Sequence, residues 1–127
     1  MKLITPLARA RGLGSAKEGV EHWWAQRLTA IALVPLVIWM IYSVVSLLGA
    51  DQQTVRAWIG NGLNATFLIA LLIALFYHLQ LGMQVVIEDY VHGRATEVTL
   101  QIIVKFASIL GALAGVLGVL KISLGSA

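Results

Sequence analysis

The sequence predicts an all-α membrane protein with three transmembrane helices. Of its 127 residues, 59% are hydrophobic and only 12% are charged, and the mean hydropathy is +0.87. The apolar residues are grouped in three long blocks instead of alternating with polar ones, which is typical of helices that cross a bilayer. This composition excludes a large water-soluble catalytic domain.

Each predicted span is a long block of apolar residues. The first covers residues 28–50, whose 23 uncharged residues at about 1.5 Å each extend roughly 34 Å. The second covers residues 63–87 and follows a stretch rich in Gly and Asn. The third covers residues 98–120, where Lys105 lies near one end and can extend its ammonium group to the headgroups. A stripe of small residues in this span is expected to pack against another helix: Ala107, Gly111, Gly115 and Gly118.

The basic residues are concentrated before the first span. Five of the nine lie there, namely Lys2, Arg9, Arg11, Lys17 and Arg27. By the positive-inside rule, the N-terminus is predicted to face the cytoplasm, or the matrix in a mitochondrion. We therefore divide the chain into a basic N-terminal arm, residues 1–27, and a membrane anchor domain, residues 28–127. The net charge of +3 is too small to predict a nucleic-acid partner.

His78 lies deep in the second predicted span. It precedes Ile87, the last apolar residue of that span, by nine residues, which places it roughly 14 Å inside the membrane. A histidine at this depth either binds a metal or donates a hydrogen bond to a neighbouring helix, and the spacing leaves both possibilities open. Ala74 and Gly82, one turn away on either side, leave room for a flat macrocycle.

The chain has no cysteine, which limits the metal chemistry open to it. Disulfides, thiolate zinc sites and protein-bound iron–sulfur clusters are excluded, and any haem is of the non-covalent b type. The remaining histidines, His22 and His92, lie outside the predicted spans and are expected to be solvated. A six-coordinate haem at His78 would therefore need its second axial ligand from another polypeptide.

The junction after the second span, residues 88–97 (EDYVHGRATE), is the other polar feature on the N-terminal side of the membrane. One interpretation is a polar turn with Tyr90 at headgroup level. The other is a quinone site, in which Tyr90 donates a hydrogen bond to a carbonyl and Asp89 or Glu88 relays protons from water. Arg27 enters the first span on the same side and would place a positive charge nearby.

Two segments resemble a known family: GVEHWWAQRLTAI (residues 19–31) and HLQLGMQVVIEDY (residues 78–90). Together with the preceding RGLGSAKE, they resemble the hydrophobic membrane anchor of succinate dehydrogenase, the small cytochrome b anchor of respiratory complex II. The spacing from the histidine to the Asp-Tyr pair at the end of the second span is the more specific motif.

The resemblance implies roles for four residues. His78 would be an axial ligand of haem b, shared with a histidine of a second anchor subunit. Tyr90 would hydrogen-bond ubiquinone with Asp89 beside it, and Arg27 would lie near both the quinone and the haem propionates. These chains carry no independent activity, because the flavin and the iron–sulfur clusters belong to other subunits.

The resemblance also implies a molecular setting. The three spans would form half of a two-subunit helical bundle with a second anchor, the larger cytochrome b subunit. An iron–sulfur subunit and a flavoprotein subunit would complete a succinate:ubiquinone oxidoreductase of the tricarboxylic acid cycle and respiratory chain. The bacterial inner membrane, with the N-terminus cytoplasmic, is favoured over the mitochondrial inner membrane. Two alternatives stay open: a quinol:fumarate reductase anchor, and a structural or assembly membrane protein without a cofactor.

Overall fold

The structure, a computed structural model, describes residues 6–7 and 16–125. Four helices build this part of the chain: α1 (Ala16–Ser46), α2 (Gln52–Gly60), α3 (Gly62–Tyr90) and α4 (Arg94–Ser123). The same part contains no strand, so the all-α prediction is confirmed. Residues 1–5 and 8–15 of the predicted N-terminal arm lie outside the described residues, and residues 16–27 of the arm belong to α1.

Three of the helices are long and apolar enough to cross a bilayer. They are Gly19–Ser46 within α1, Gly62–Tyr90 and Arg94–Ser123, with 28, 29 and 30 residues. At about 1.5 Å per residue they extend roughly 42 to 45 Å, more than the hydrocarbon core of about 30 Å. Their ends therefore reach the headgroup region. The first helix ends at Ser46, four residues before the predicted limit, because residues 47–49 form a turn in which Gly49 has a φ of +81°.

The short helix α2 was not predicted from the sequence. Its N-terminus is capped by Asp51, whose carboxylate accepts a hydrogen bond from the Thr54 amide at 2.9 Å. Hydrogen bonds donated by the side chain and the backbone of Thr54 lower the pKa of Asp51 below its ordinary value. Asn61 then caps α3 by accepting from the amides of Leu63 and Asn64. The Gly- and Asn-rich stretch thus contains the end of α2 and the start of α3.

The helices are arranged with α3 between α1 and α4. In the described part of the chain, α3 packs on both of these helices, which do not contact each other. The small helix α2 packs on α3 and α4. Its Trp58 stacks on Trp39 of α1 with ring centroids 5.6 Å apart, and Trp39 meets Phe67 of α3 edge to face at 5.4 Å. This aromatic cluster joins the helices at the end of the bundle opposite the N-terminus.

Two glycines of the predicted stripe allow α4 to approach α3 closely. A Cβ atom on Gly111 would lie 2.6 Å from a ring carbon of Phe76, and one on Gly115 would lie 3.1 Å from methyl carbons of Leu72. A Cβ atom on Gly118 would have no atom within 4 Å. The expected helix contact is therefore confirmed at Gly111 and Gly115 but does not extend to Gly118.

The chain has almost no core of its own. Among the described residues, the buried ones are Ser43, Ala65, Leu81 and Ile87. Large apolar side chains stay exposed along every long helix, including Ile31, Tyr42 and Leu110. Such extensive apolar surface is stable only against lipid or against a partner.

Candidate functional site

His78 lies at the contact between α3 and α1. Its Nδ1 atom is 2.9 Å from the hydroxyl oxygen of Thr29. That hydroxyl also lies 2.8 Å from the carbonyl oxygen of Ala25 and 3.0 Å from that of Gln26, one turn earlier in α1. The imidazole is half-buried. The contact with Thr29 ties His78 to the first helix.

A cavity of about 240 Å³ opens beside His78 between α1 and α3. Its walls are formed by Trp23, Gln26, Arg27, Ala30 and His78. The guanidinium carbon of Arg27 lies 5.3 Å from the ring centroid of Trp23, a cation–π contact that holds the positive charge at the cavity. Two of the predicted site residues, Arg27 and His78, therefore share one cavity. A fixed cation beside a half-buried imidazole suits a ligand that carries carboxylates.

Asp89 and Tyr90 occupy the last turn of α3. The helix ends after them, because Val91 and Gly93 adopt extended backbone conformations. Both side chains are exposed, that of Tyr90 to 78%. Tyr90 lies twelve residues beyond His78, roughly 18 Å along the helix. The structure thus separates this pair from the cavity that contains His78.

Glu88 and two glutamines form a hydrogen-bonded row along α3. The Gln84 amide donates to the Glu88 carboxylate at 3.1 Å, and Gln80 donates to Gln84 at 3.5 Å. Gln101 of α4 donates to the backbone carbonyl of Gln84 at 3.3 Å. The side chains of Gln80 and Gln84 are thus satisfied within α3, and the Gln101 side chain supplies the hydrogen bond to α4. Glu88 is engaged in this row, and both Glu88 and Asp89 are exposed at the end of α3.

A larger cavity of about 340 Å³ lies on the other side of α3, against α4. It is lined by Ile73, Phe76, Tyr77, Gln80, Lys105, Ser108, Ile109 and Ala112. Lys105 follows Arg94, the first residue of α4, by eleven residues, roughly 16 Å. The sequence did not predict this cavity, because the packing of two helices creates it.

The remaining histidines differ from one another. His92 is exposed, as expected. The expectation that His22 is solvated was wrong: it is half-buried, and its Nε2 atom is buried without a hydrogen-bond partner among the described residues. His22 lies two turns before Thr29, on the face of α1 that packs against α3, and this position explains its burial. The expectation failed because it considered the position of His22 along the chain and not the packing of α1 against α3.

The residues around His78 fit a haem that takes one axial ligand from this chain. In the described part of the chain, no group of three or more His, Cys, Asp or Glu side chains converges, and an axial haem ligand requires only a single imidazole. His78 lines a cavity, and a Cβ atom on Gly82, one turn away, would meet nothing within 4 Å. The free space and the nearby Arg27 suit the macrocycle and its propionates.

Comparison with known proteins identifies the family. The profile of the succinate dehydrogenase/fumarate reductase transmembrane subunit matches residues 1–114. The chain belongs to this family. The matched residues of this anchor family include α1, α2, α3 and most of α4, and hence all four predicted site residues. Together with the three apolar helices, the match indicates a multi-pass membrane protein.

Curated relatives agree over most of the chain. The succinate dehydrogenase hydrophobic membrane anchor subunit of Rickettsia bellii is 38% identical over 113 residues, which are 89% of this chain and 90% of the relative. The protein of the same name from Paracoccus denitrificans is 34% identical, over 73% of this chain and 72% of its own. A succinate dehydrogenase membrane anchor subunit of Reclinomonas americana is 31% identical, over 73% and 80%.

Proposed function

We propose that this chain is the small membrane anchor of a succinate:ubiquinone oxidoreductase, ligating haem b through His78 and forming part of the ubiquinone site. The observation that carries the proposal is that Arg27 and His78 line the same cavity between α1 and α3. The chain in which they do so belongs to the anchor family. The intramembrane histidine and the fixed cation are the two groups that a haem with propionates needs.

In this proposal, His78 binds the iron and Arg27 binds the propionates. Haem b, when bound, supplies a one-electron redox centre within the membrane. The Arg27 guanidinium, held beside Trp23, compensates the charge of a propionate. The cavity volume of about 240 Å³ is below the range of roughly 300–1,000 Å³ for pockets that enclose a whole ligand. This chain would therefore provide one wall of the haem site, with His78 and Arg27 holding the group, and a second anchor subunit would provide the other wall and a further histidine.

Tyr90 and Asp89 are proposed to act on the quinone. The Tyr90 hydroxyl donates a hydrogen bond to a quinone carbonyl, which polarises that carbonyl for reduction. Asp89 exchanges protons with water and delivers them to the reduced oxygen. Both side chains are exposed at the end of α3, so other subunits complete the pocket. Arg27 lies on the same side of the membrane but lines the cavity with His78, so its part at the quinone is proposed as a nearby positive charge and not as a direct contact.

The proposed assembly follows from the exposed surfaces. The apolar faces of α1 and α4 are available to a second anchor subunit and to lipid. The start of α1, the end of α3 and the start of α4 share the side that faces the iron–sulfur and flavoprotein subunits. The relatives from Rickettsia and Paracoccus favour the bacterial inner membrane, with this side cytoplasmic.

Replacement of His78 by leucine tests the proposal. The variant is expected to lose or alter the b-type absorption bands of the purified complex, because the imidazole that would hold the haem iron is removed. The matched control is His92→Leu, which removes an exposed histidine in the loop after α3. An unchanged spectrum in an assembled His78→Leu complex would refute the ligand assignment and favour a cofactor-free structural protein.

A further inference from the structure

Thr29 supplies the polar contact that His78 makes. The hydroxyl oxygen lies 2.9 Å from Nδ1 of His78 and within 3.0 Å of two backbone carbonyl oxygens, those of Ala25 and Gln26. A hydroxyl group has one proton to donate and can accept a proton through its lone pairs. Carbonyl oxygens can only accept. The Thr29 proton is therefore directed to the carbonyls, and its oxygen accepts a hydrogen bond from Nδ1–H of His78.

This donor and acceptor order fixes the tautomer of the neutral imidazole. With the proton on Nδ1, the Nε2 atom carries a free lone pair. Nε2 has no hydrogen-bond partner among the residues that the structure describes, and His78 lines the cavity shared with Arg27. The tautomer selected by Thr29 is thus the one that can bind a metal through Nε2.

We propose that Thr29 is a positioning residue for the haem ligand, holding His78 in the Nδ1–H tautomer and strengthening its donation of electrons to the iron. The inference rests on the proposed function and adds a residue to it. The two carbonyl contacts hold the Thr29 oxygen in place, so the acceptor is rigid. A hydrogen bond donated by the distal ring nitrogen makes a histidine ligand more basic.

The hydrogen bond from His78 to Thr29 affects the reduction potential of the haem. A more basic imidazole stabilises ferric iron more than ferrous iron, because the ferric ion has the higher charge. Thr29 therefore lowers the midpoint potential, and loss of its hydroxyl raises it. A change of up to about tenfold in the preference for ferric over ferrous iron is expected, which corresponds to about 59 mV for one electron.

The experiment compares variants of Thr29 in the purified complex. Thr29→Val removes the hydroxyl and keeps the shape, whereas Thr29→Ser keeps the hydroxyl. The matched control is Thr99→Val on α4, where the lost hydroxyl likewise donates to the carbonyl four residues earlier, at 2.7 Å, but contacts no histidine. Redox titration of the b-type absorption should give a raised potential for Thr29→Val and near wild-type potentials for Thr29→Ser and Thr99→Val. A wild-type potential in haem-containing Thr29→Val would overturn the proposal.

A further variant, Thr29→Ala, keeps the test decisive if the valine variant does not assemble. Haem loss or a raised potential in Thr29→Ala, with normal haem in Thr29→Ser, supports the role of the hydroxyl. A wild-type potential in Thr29→Ala overturns it. His78→Leu separates this inference from the proposed function, because an unaltered haem spectrum there refutes ligation itself. If His78→Leu alters the spectrum and neither hydroxyl-free variant shifts the potential or the haem content, only the role of Thr29 fails.

Discussion

Gly111→Ala is expected to loosen the contact between α3 and α4, and the structure gives the size of the effect. The added methyl group would lie 2.6, 3.0 and 3.3 Å from three ring carbons of Phe76. Carbon atoms prefer separations of about 3.5–4.0 Å, so the ring must retreat by roughly 1 Å. The cavity of about 340 Å³ that Phe76 lines gives the ring space to move. Because of that space, the cost belongs at the lower end of the 1–3 kcal/mol typical of overpacking, about 1–2 kcal/mol.

Helix propensity must be separated from this steric cost. Alanine is favoured over glycine inside a helix by about 1 kcal/mol, and this gain offsets part of the stability that Gly111→Ala loses through the clash. Gly118→Ala gains the same propensity on the same helix, and its methyl group would meet nothing within 4 Å. The difference between the two variants therefore isolates the clash. Gly115→Ala belongs between them, because its neighbour at 3.1 Å is a flexible leucine side chain.

The assay is dissociation and unfolding of the purified complex along an SDS titration, with thermal melting as a second probe. We expect the order of stability Gly118→Ala, then Gly115→Ala, then Gly111→Ala, with about 1–2 kcal/mol between the first and the last. A Gly111→Ala complex as stable as Gly118→Ala would refute the close packing of α4 on Phe76.

Two further predictions concern the ends of the helices. Tyr90→Phe should lower succinate:quinone reductase activity by roughly two- to tenfold, the value of one neutral hydrogen bond, while succinate oxidation with a soluble dye persists. Equal loss of both activities would contradict a role at the quinone. The control is Tyr42→Phe, which changes a tyrosine that is 73% exposed near the C-terminal end of α1, on the opposite side of the membrane from Tyr90. Asp51→Ala should increase amide exchange at Thr54, because the cap is lost. Since the pKa of Asp51 is lowered on folding, the wild-type cap should persist above about pH 4 and fail as the pH falls through the lowered pKa. A protection factor of the Thr54 amide, relative to the unstructured chain at the same pH, that does not fall as Asp51 is protonated would contradict this prediction.

The number and type of the long helices could be predicted from the sequence because burial in lipid requires long runs of apolar residues. Their ends were less predictable, since the charge-free block of the first span continues past Ser46, where the helix gives way to a turn that includes Gly49 at positive φ. The cap formed by Asp51 and Thr54 was a local signal for α2 that the Gly and Asn content obscured. Apolar periodicity reports on burial, whereas helix ends depend on a few hydrogen bonds.

The candidate site was predictable only as separate residues. The depth of His78 follows from counting along one helix, because an α-helix has a fixed rise. Its contact with Thr29 and its shared cavity with Arg27 depend on how α1 packs against α3, which no single-helix pattern contains. For the same reason the buried Nε2 atom of His22 was missed. Pairwise helix packing is the information that the sequence pattern lacks.

The position of α3 between two helices restricts how it can rotate. On one side of α3, His78 lies against Thr29 of α1, while on another the backbone carbonyl of Gln84 accepts a hydrogen bond from Gln101 of α4. Within the membrane, no water can replace either hydrogen bond, so a rotation of α3 that improved one contact would leave the other group unsatisfied. The hydrogen bond from Gln101 to α3 therefore stabilises the orientation in which His78 faces the cavity. This coupling gives Gln101 a role in positioning His78, although the two residues are not in contact.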